Sequence, residues 1–96
     1  MKGAVEWLVS LFGKKDASSV ARAYQDQIDI DTPNGKAIMT DLAWYCNDTH
    51  TTFVPGDPYQ TALNEGRRDV YLHIKEVLGL SPSDFTPTIR KNNAQG

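Results

Sequence analysis

The side chains best suited to metal or nucleophilic chemistry are one cysteine and two histidines. Cys46 and His50 lie four residues apart, which would place them on one face of a helix, and His73 is the remaining soft donor. A structural zinc site needs four ligands in a recognisable spacing, and a cysteine nucleophile needs a histidine that a third group orients. These residues meet neither requirement. The sequence therefore predicts packing roles for them, with a hydrogen-bonded structural histidine at His73, and no metal site.

A calcium loop is the second chemistry that the residue types suggest, in the stretch IDIDTPNGK at residues 28–36. Four of its residues are of types found in helix–loop–helix calcium sites: Asp29, Asp31, Asn34 and Gly35. If Asp29 were the first ligand, however, Thr40 would stand at the position of the bidentate glutamate. The stretch is better explained as a turn, followed by a helix that Thr32 caps and Pro33 begins.

Length and charge exclude several further functions. The 96 residues form one domain with a modest core, and ten basic against twelve acidic residues give a net charge of −2. A general nucleic-acid binder would carry a basic excess. DNA binding is therefore the least favoured class, and it would use Arg67, Arg68, Arg90 and Lys91. The chain has one cysteine, no glycine-rich phosphate loop and no defined carboxylate pair, so we expect a protein that is not an enzyme and holds no cofactor.

The longest helical pattern runs from Asp57 to Leu80, and the rest of the chain is organised around it. Asp57 is suited to cap the amino end, and Pro58 is suited to the first helical position. Apolar residues and one glycine recur three or four residues apart on one face: Tyr59, Leu63, Gly66, Val70, Ile74 and Val77. Gly79 suits the end of the last turn. The pattern predicts a helix over residues 58–79 with this face buried.

Gly66 stands in the middle of that face, where an interior glycine costs about 1 kcal/mol relative to alanine. We expect another backbone to pack closely against it, namely the helix that carries Ile38, Leu42 and Tyr45. The predicted helix-packing residues are accordingly Gly66, Leu63, Val70 and Leu42.

The remaining patterns complete an all-α fold, a small bundle of about four helices. The helices are expected at residues 4–12, 17–29, 34–47 and 58–79. Phe53 is the expected core anchor of the loop before the last helix, and Ser81 opens a short turn near residues 82–85. The predicted organisation is an amphipathic docking helix at 1–13, a helical bundle at 14–85 and a flexible tail at 86–96.

The amino-terminal helix carries more large apolar residues than one covered face would account for. They are Trp7, Leu8, Leu11 and Phe12. We predict that they dock on a second protein, because large aromatic side chains often dominate such contacts. Two alternatives remain open: the helix completes the chain's own core, or it lies in a membrane interface with lysines at the head groups, namely Lys2, Lys14 and Lys15. The segment is too short to cross a bilayer, which takes about 20 apolar residues.

A second contact point is expected on the polar side of the long helix. Leu72 stands among charged residues there, and a leucine framed by paired charges is typical of a partner surface as well as of a lone exposed side chain. Arg68 is expected to pair with Glu65, and Arg67 to turn inward toward the acids of the turn at residues 29–31. Leu72 and Arg68 are therefore added to the predicted partner-binding residues.

Two stretches of the sequence carry a resemblance to a known family. The first, GKAIMTDLAWYC, has a Gly-Lys pair, a hydrophobic residue and an Asp-Leu-aromatic group in order. The second, TFVPGDPYQTALNEGRRDVYLHI, joins an F-x-x-G-D-P loop to an N-E-G-R-R helix. Together they resemble a family of small proteins from tailed bacteriophages that are encoded among head and portal genes. The resemblance covers residues 35–78 and leaves the amino-terminal helix and the tail outside it.

The resemblance implies a virion or virion-assembly protein and supplies no catalytic residues. Two classes stay open. One is a structural or adaptor component at the portal, the head–tail connector or the internal, ejected proteins. The other is an assembly or DNA-packaging accessory that leaves before maturation. In the first class the partners would be other phage structural proteins, in multiple copies within a symmetric assembly, and the chain would pass from the host cytoplasm into the virion.

Overall fold

The computed structural model describes residues 3–85, which contain three α-helices and one short 3₁₀ helix. The elements are α1 (Ala4–Gln27), α2 (Pro33–Tyr45), α3 (Pro58–Leu78) and the 3₁₀ helix Pro82–Phe85. Every regular element in this range is helical, which confirms the all-α prediction. The predicted tail at 86–96 lies outside the described residues.

A bend in α1 explains why the predicted count of four helices is one too high. Gly13 has φ 82° and ψ 163°, a conformation that residues with a side chain rarely adopt. The sequence predicts a helix end at this glycine, and the local break is there. The helix resumes at once, however, and runs on to Gln27. The helices predicted at 4–12 and 17–29 are therefore two arms of one element.

The core lies where both arms of α1 meet the end of α3 and the 3₁₀ helix. Its buried members are Ala4, Leu8, Ala17, Ala21, Val77 and Phe85. Alanines make up half of this set, so the helix backbones come close together. Partly buried side chains surround it: Val5, Val9, Val20, Tyr24 and Leu80. Because Ala4 and Leu8 belong to this core, a domain boundary after residue 13 would cut through it.

Polar contacts also fix α1 to the carboxyl end of α3. The Gln25 side-chain amide donates to the carbonyls of Val77 and Leu80, at 3.1 and 2.7 Å. The helix ends at Leu78, so neither carbonyl has an amide one helical turn further on to bond to. The Val77 carbonyl also accepts from the Leu80 amide at 3.2 Å, and the glutamine joins this end of α3 to α1. At the start of α1, the Ala4 amide donates to Glu76 Oε2 at 3.0 Å. The two ends of α1 are thus both tied to the last turns of α3.

α2 begins where the turn and the cap are expected. The Thr32 hydroxyl accepts a hydrogen bond from the Gly35 amide at 3.1 Å and donates one to the Asp29 carbonyl at 2.6 Å. Gly35 is buried, and a Cβ added there would collide with the Asp29 carbonyl. After Tyr45 the helix ends, and Asn47 adopts a left-handed conformation with φ 63°. The turn-and-cap interpretation of this stretch is confirmed.

α3 begins as predicted. Asp57 caps it by accepting a hydrogen bond from the Gln60 amide at 2.9 Å, and Pro58 is its first residue. Its last turn ends at Gly79, which has φ −94° and so does not use the left-handed conformation open to glycine. The predicted span of this helix is correct to within one residue.

The face of α3 that the sequence pattern marks as buried is nevertheless open over its amino-terminal half. Tyr59, Leu63 and Val70 are 87%, 49% and 57% exposed. The buried residues of the helix are Asn64, Tyr71 and Val77. The prediction is wrong for the first three because the loop after α2 lies on the Asn64 side of α3. Only the end of the predicted face, at Val77, reaches the core.

The close approach expected at Gly66 does not occur within the chain. A Cβ added to Gly66 would meet no atom of a neighbouring element within 4 Å. On α2, Ile38 and Tyr45 are exposed and Leu42 is half-buried, so the predicted packing of this helix on Gly66 is wrong. The glycine at which two stretches of backbone do meet is Gly35.

The short turn near residues 82–85 is confirmed as a capped 3₁₀ helix. The amide and the hydroxyl of Ser81 both donate to Asp84 Oδ2, at 2.7 and 3.1 Å. The Asp84 amide donates to the Ser81 carbonyl at 3.0 Å, which is the three-residue backbone bond of a 3₁₀ turn. This turn places Phe85 in the core against α1.

Candidate docking surfaces

Three large apolar side chains on the first arm of α1 are open to solvent. Trp7, Leu11 and Phe12 are 48%, 62% and 43% exposed, and they are called the amino-terminal patch below. Leu8, which the sequence assigns to the same docking set, is 2% exposed and packs in the core. Its assignment as a partner residue is wrong, because it lies on the side of the helix that faces α3. None of the described helices has the length and apolar content needed to cross a bilayer.

A second apolar surface follows the open half of α3. Its residues are Tyr59, Leu63, Gly66 and Val70, and they are called the α3 stripe. Their spacing of four, three and four residues is the spacing at which one helix packs its side chains against another. The absence of a side chain at Gly66 leaves a notch between Leu63 and Val70. The α3 stripe thus has the residue spacing of a helix-packing surface and lies in solvent.

The opposite side of α3 is covered by the loop that precedes it. The buried Asn64 side chain donates to the Thr52 carbonyl at 3.2 Å and accepts from the Gln60 side-chain amide at 2.8 Å. Nearby, the Thr61 hydroxyl oxygen accepts from the Val54 amide at 2.8 Å. The sequence does not reveal this role of Asn64, because its partner lies twelve residues away in an irregular loop.

The residue expected to anchor that loop is not the one that does so. Phe53 is exposed, so the prediction that it enters the core is wrong. The loop is held instead by backbone groups of Thr52 and Val54 that bond to polar side chains of α3. A loop fixed through its backbone leaves Phe53 free to contribute to the apolar surface.

The arginines of α3 contact other residues than the sequence predicts. Arg68 pairs with Asp48 in the loop, with Nε to Oδ1 at 3.1 Å, instead of with Glu65. The guanidinium of Arg67 lies 5.6 Å from the centre of the Tyr45 ring and not at the turn of residues 29–31. Leu72, predicted as a partner contact, is half-buried. Arg68 therefore lies on the side of α3 that faces the loop, and the binding of Arg68 and Leu72 to a partner stays a prediction.

The residues considered for metal or nucleophilic chemistry lie in different surroundings. Cys46 is buried at the end of α2, whereas His50 is exposed with its ring 6.3 Å from that of Trp44. His73 meets the Tyr24 ring edge-on, with 6.5 Å between the centroids. In the described part of the chain, no three His, Cys, Asp or Glu side chains are grouped so as to hold a metal ion. The surfaces that stand out are the two apolar ones.

Comparison with known proteins gives a match over the second half of the fold. Residues 30–90 match the model of a family described as Bbp19-like phage protein. This range is more than half of the chain and contains α2, α3 and the 3₁₀ helix, while α1 precedes it. No curated protein and no solved structure matches the chain.

Proposed function

The chain belongs to the Bbp19-like phage protein family, and from this premise we propose that it is a non-enzymatic structural or adaptor protein of the virion. It associates with the portal, the head–tail connector or the internal proteins after synthesis in the host cytoplasm. Its partners are other structural proteins of the particle, present in multiple copies. The observation that carries the proposal is the amount of large apolar surface that the described residues leave in solvent.

That surface is large for a chain of this size. Eleven large apolar side chains among the described residues are at least 43% exposed: Trp7, Leu11, Phe12, Ile30, Ile38, Trp44, Tyr45, Phe53, Tyr59, Leu63 and Val70. Scattered apolar residues are ordinary on a protein surface, whereas contiguous groups mark binding sites. The groups here are the amino-terminal patch, the α3 stripe and the end of α2. A component that is buried between other proteins in a particle would have surfaces of this kind.

A protein partner accounts for the amino-terminal patch better than a membrane does. An interfacial helix sinks one continuous apolar face among the head groups. In α1 the middle of that face, at Ala4 and Leu8, is already buried against α3 and the 3₁₀ helix. The exposed side chains flank this contact, so a partner must fit against the folded domain and not only against the helix.

A role in DNA binding has less support. Of the arginines assigned to that class, Arg68 is paired with Asp48 and Arg67 lies over Tyr45. Arg90 and Lys91 lie outside the described residues. With a net charge of −2, a surface that attracts phosphates would need free basic residues in one place.

The test is the protein content of purified phage. We expect mass spectrometry of mature particles to detect the chain at a fixed ratio to the portal protein. A chain present in immature particles but absent from mature ones would support the assembly accessory instead. Absence from both kinds of particle would contradict the virion proposal. A phage replication protein serves as the control for contamination.

A variant test connects incorporation to the surface. In phage that lack the native chain, the doubly substituted Trp7→Gln and Leu11→Gln chain should enter particles poorly, because both substitutions remove exposed apolar contacts. The matched control is Lys75→Gln, which introduces the same amide at an exposed position of α3. Equal incorporation of the two variants would contradict a docking role for the amino-terminal patch. Liposome binding that depends on the patch, together with normal incorporation, would favour the membrane alternative.

A further inference from the structure

The two apolar surfaces of this chain complement each other. We propose that the α3 stripe of one copy receives the amino-terminal patch of a second copy, so that copies join head to tail. This inference deepens the proposed function by naming the partner, and it rests on that function for its setting in the particle. The contact itself follows from the shape and charge of the two surfaces.

The shape argument begins with Gly66. Leu63 and Val70 project on either side of a position that has no side chain, and nothing from a neighbouring element lies within 4 Å of the point where a Cβ would be. A notch of this kind admits a large side chain or a closely approaching helix. The amino-terminal patch supplies two aromatic residues and a leucine on a short helical arm, which are the side chains that most often anchor such contacts.

The carboxyl end of the amino-terminal patch and one edge of the α3 stripe carry opposite charges. Lys14 and Lys15 follow Phe12 after Gly13 and are exposed, with one acid, Asp16, beside them. The other acid of this arm, Glu6, lies at the opposite end of the patch, beside Trp7. Glu65 and Asp69 run along one edge of the α3 stripe, one helical turn apart. Within residues 3–85 neither the two lysines nor Glu65 and Asp69 form an ion pair. Docking would bring the lysines to the acidic edge, which would also fix the direction of approach.

The other edge of the α3 stripe offers no competing positive charge. Arg67 lies on that side, but its guanidinium is held over the Tyr45 ring. Arg68, further round the helix, is paired with Asp48. The free charge beside the stripe is therefore acidic. This asymmetry favours a partner whose apolar surface ends in lysines, as the amino-terminal patch does at Lys14 and Lys15.

The amino-terminal patch and the α3 stripe cannot contact each other within one copy. The Ala4 amide is bonded to Glu76, ten residues and about 15 Å along α3 from Gly66. The exposure of both surfaces shows that they remain apart in the folded chain. Contact between copies through two different surfaces is heterologous, and such a contact closes into a ring or continues as a filament. Three side chains against one helix face make a small interface, so we expect the purified chain to associate weakly.

A mixing experiment with the full chain tests the proposal. Leu11→Asp disables the patch, and Gly66→Gln fills the notch at a position that is open in the folded chain and with a residue of better helix propensity. Sedimentation velocity at high protein concentration should show wild-type chain growing beyond dimers and each variant remaining monomeric. An equimolar mixture should give one-to-one dimers, because each variant retains the surface that the other lacks.

The controls make each result decisive. Lys75→Gln lies about two and a half turns from Gly66, on the opposite side of α3, and should associate like wild type. Circular dichroism should show that all variants keep the helical fold. A wild-type chain that stays monomeric would overturn the proposal, as would a mixture that does not form dimers. A Leu11→Asp variant that still dimerises would also overturn it, because the α3 stripe would then pair with itself. A monomeric purified chain that is nevertheless found in particles would remove this inference and leave the virion proposal standing.

Discussion

The carboxyl-terminal half of α3 is buried against α1 and the 3₁₀ helix, whereas its amino-terminal half keeps one face covered by a loop and the other in solvent. The first half is held by small apolar residues in close contact, among them Ala17 and Ala21. The second is held by side-chain hydrogen bonds from Thr61 and Asn64 to the loop backbone. One end of this helix is therefore packed in the core, and the other end has an apolar face that lies in solvent. From this difference we infer that the apolar pattern of α3 serves a contact within the chain at one end and is open for a partner at the other.

The largest difference in stability should appear between two leucine-to-alanine substitutions, one in the core and one in the α3 stripe. Leu8→Ala in the hydrophobic core should lower the free energy of unfolding by about 2–5 kcal/mol, because it leaves a cavity among packed helices. Leu63→Ala in the α3 stripe should lower it by less than about 1 kcal/mol, since half of that side chain is already in water. Urea unfolding of the dilute chain measures both values. Equal losses would mean that the free chain covers the α3 stripe.

Alanine substitutions at two glycines should change stability in opposite directions, by an intermediate amount. Gly35→Ala should destabilise the fold by about 1–3 kcal/mol, because the new Cβ collides with the Asp29 carbonyl. Gly66→Ala should stabilise it by up to about 1 kcal/mol, because a helix gains from the exchange where the added methyl meets nothing. Thermal unfolding followed by circular dichroism measures both. A lower melting temperature for Gly66→Ala in dilute solution would show that Gly66 is crowded and would contradict the open half of α3.

The smallest difference in stability is expected between two variants that each remove one contact between the loop and α3. Asn64→Ala should cost about 1–3 kcal/mol, because it removes a buried hydrogen bond to the Thr52 carbonyl. Arg68→Ala should cost less than about 1 kcal/mol, because its ion pair with Asp48 is partly exposed. Amide hydrogen exchange at Val54 should accelerate in the first variant and change little in the second. The reverse order would show that the ion pair fixes the loop.

The sequence predicts well those features that depend on near neighbours. The capping bonds of Thr32 and Asp57 and the Ser81–Asp84 bond each join groups three residues apart, so their chemistry is visible in the local pattern. The break at Gly13 is likewise local. The family resemblance belongs to this class too, since its motifs are short stretches, and it is confirmed at the level of a phage protein family.

What the sequence does not predict depends on contacts between distant residues. A helical period shows that Tyr59, Leu63 and Val70 share a face, but it does not show whether the chain has an element left to cover that face. Arg68 has an acid three residues away and binds another that lies twenty residues away. The burial of Asn64 follows from the path of a loop that has no periodic pattern. In each case burial or pairing depends on a residue that is distant in sequence and that only the fold brings near.

The central claim is that both open surfaces, the amino-terminal patch and the α3 stripe, are covered by protein in the particle. Hydroxyl-radical footprinting read out by mass spectrometry tests this directly, with the exposed Trp7 and Tyr59 as reporters and a peptide added to both samples as the dose reference. We expect Trp7 and Tyr59 to be oxidised readily in the dilute free chain and strongly protected in purified particles, after both are normalised to the oxidation of the added peptide. Equal oxidation of Trp7 and Tyr59 in the free chain and in the particle would contradict the claim.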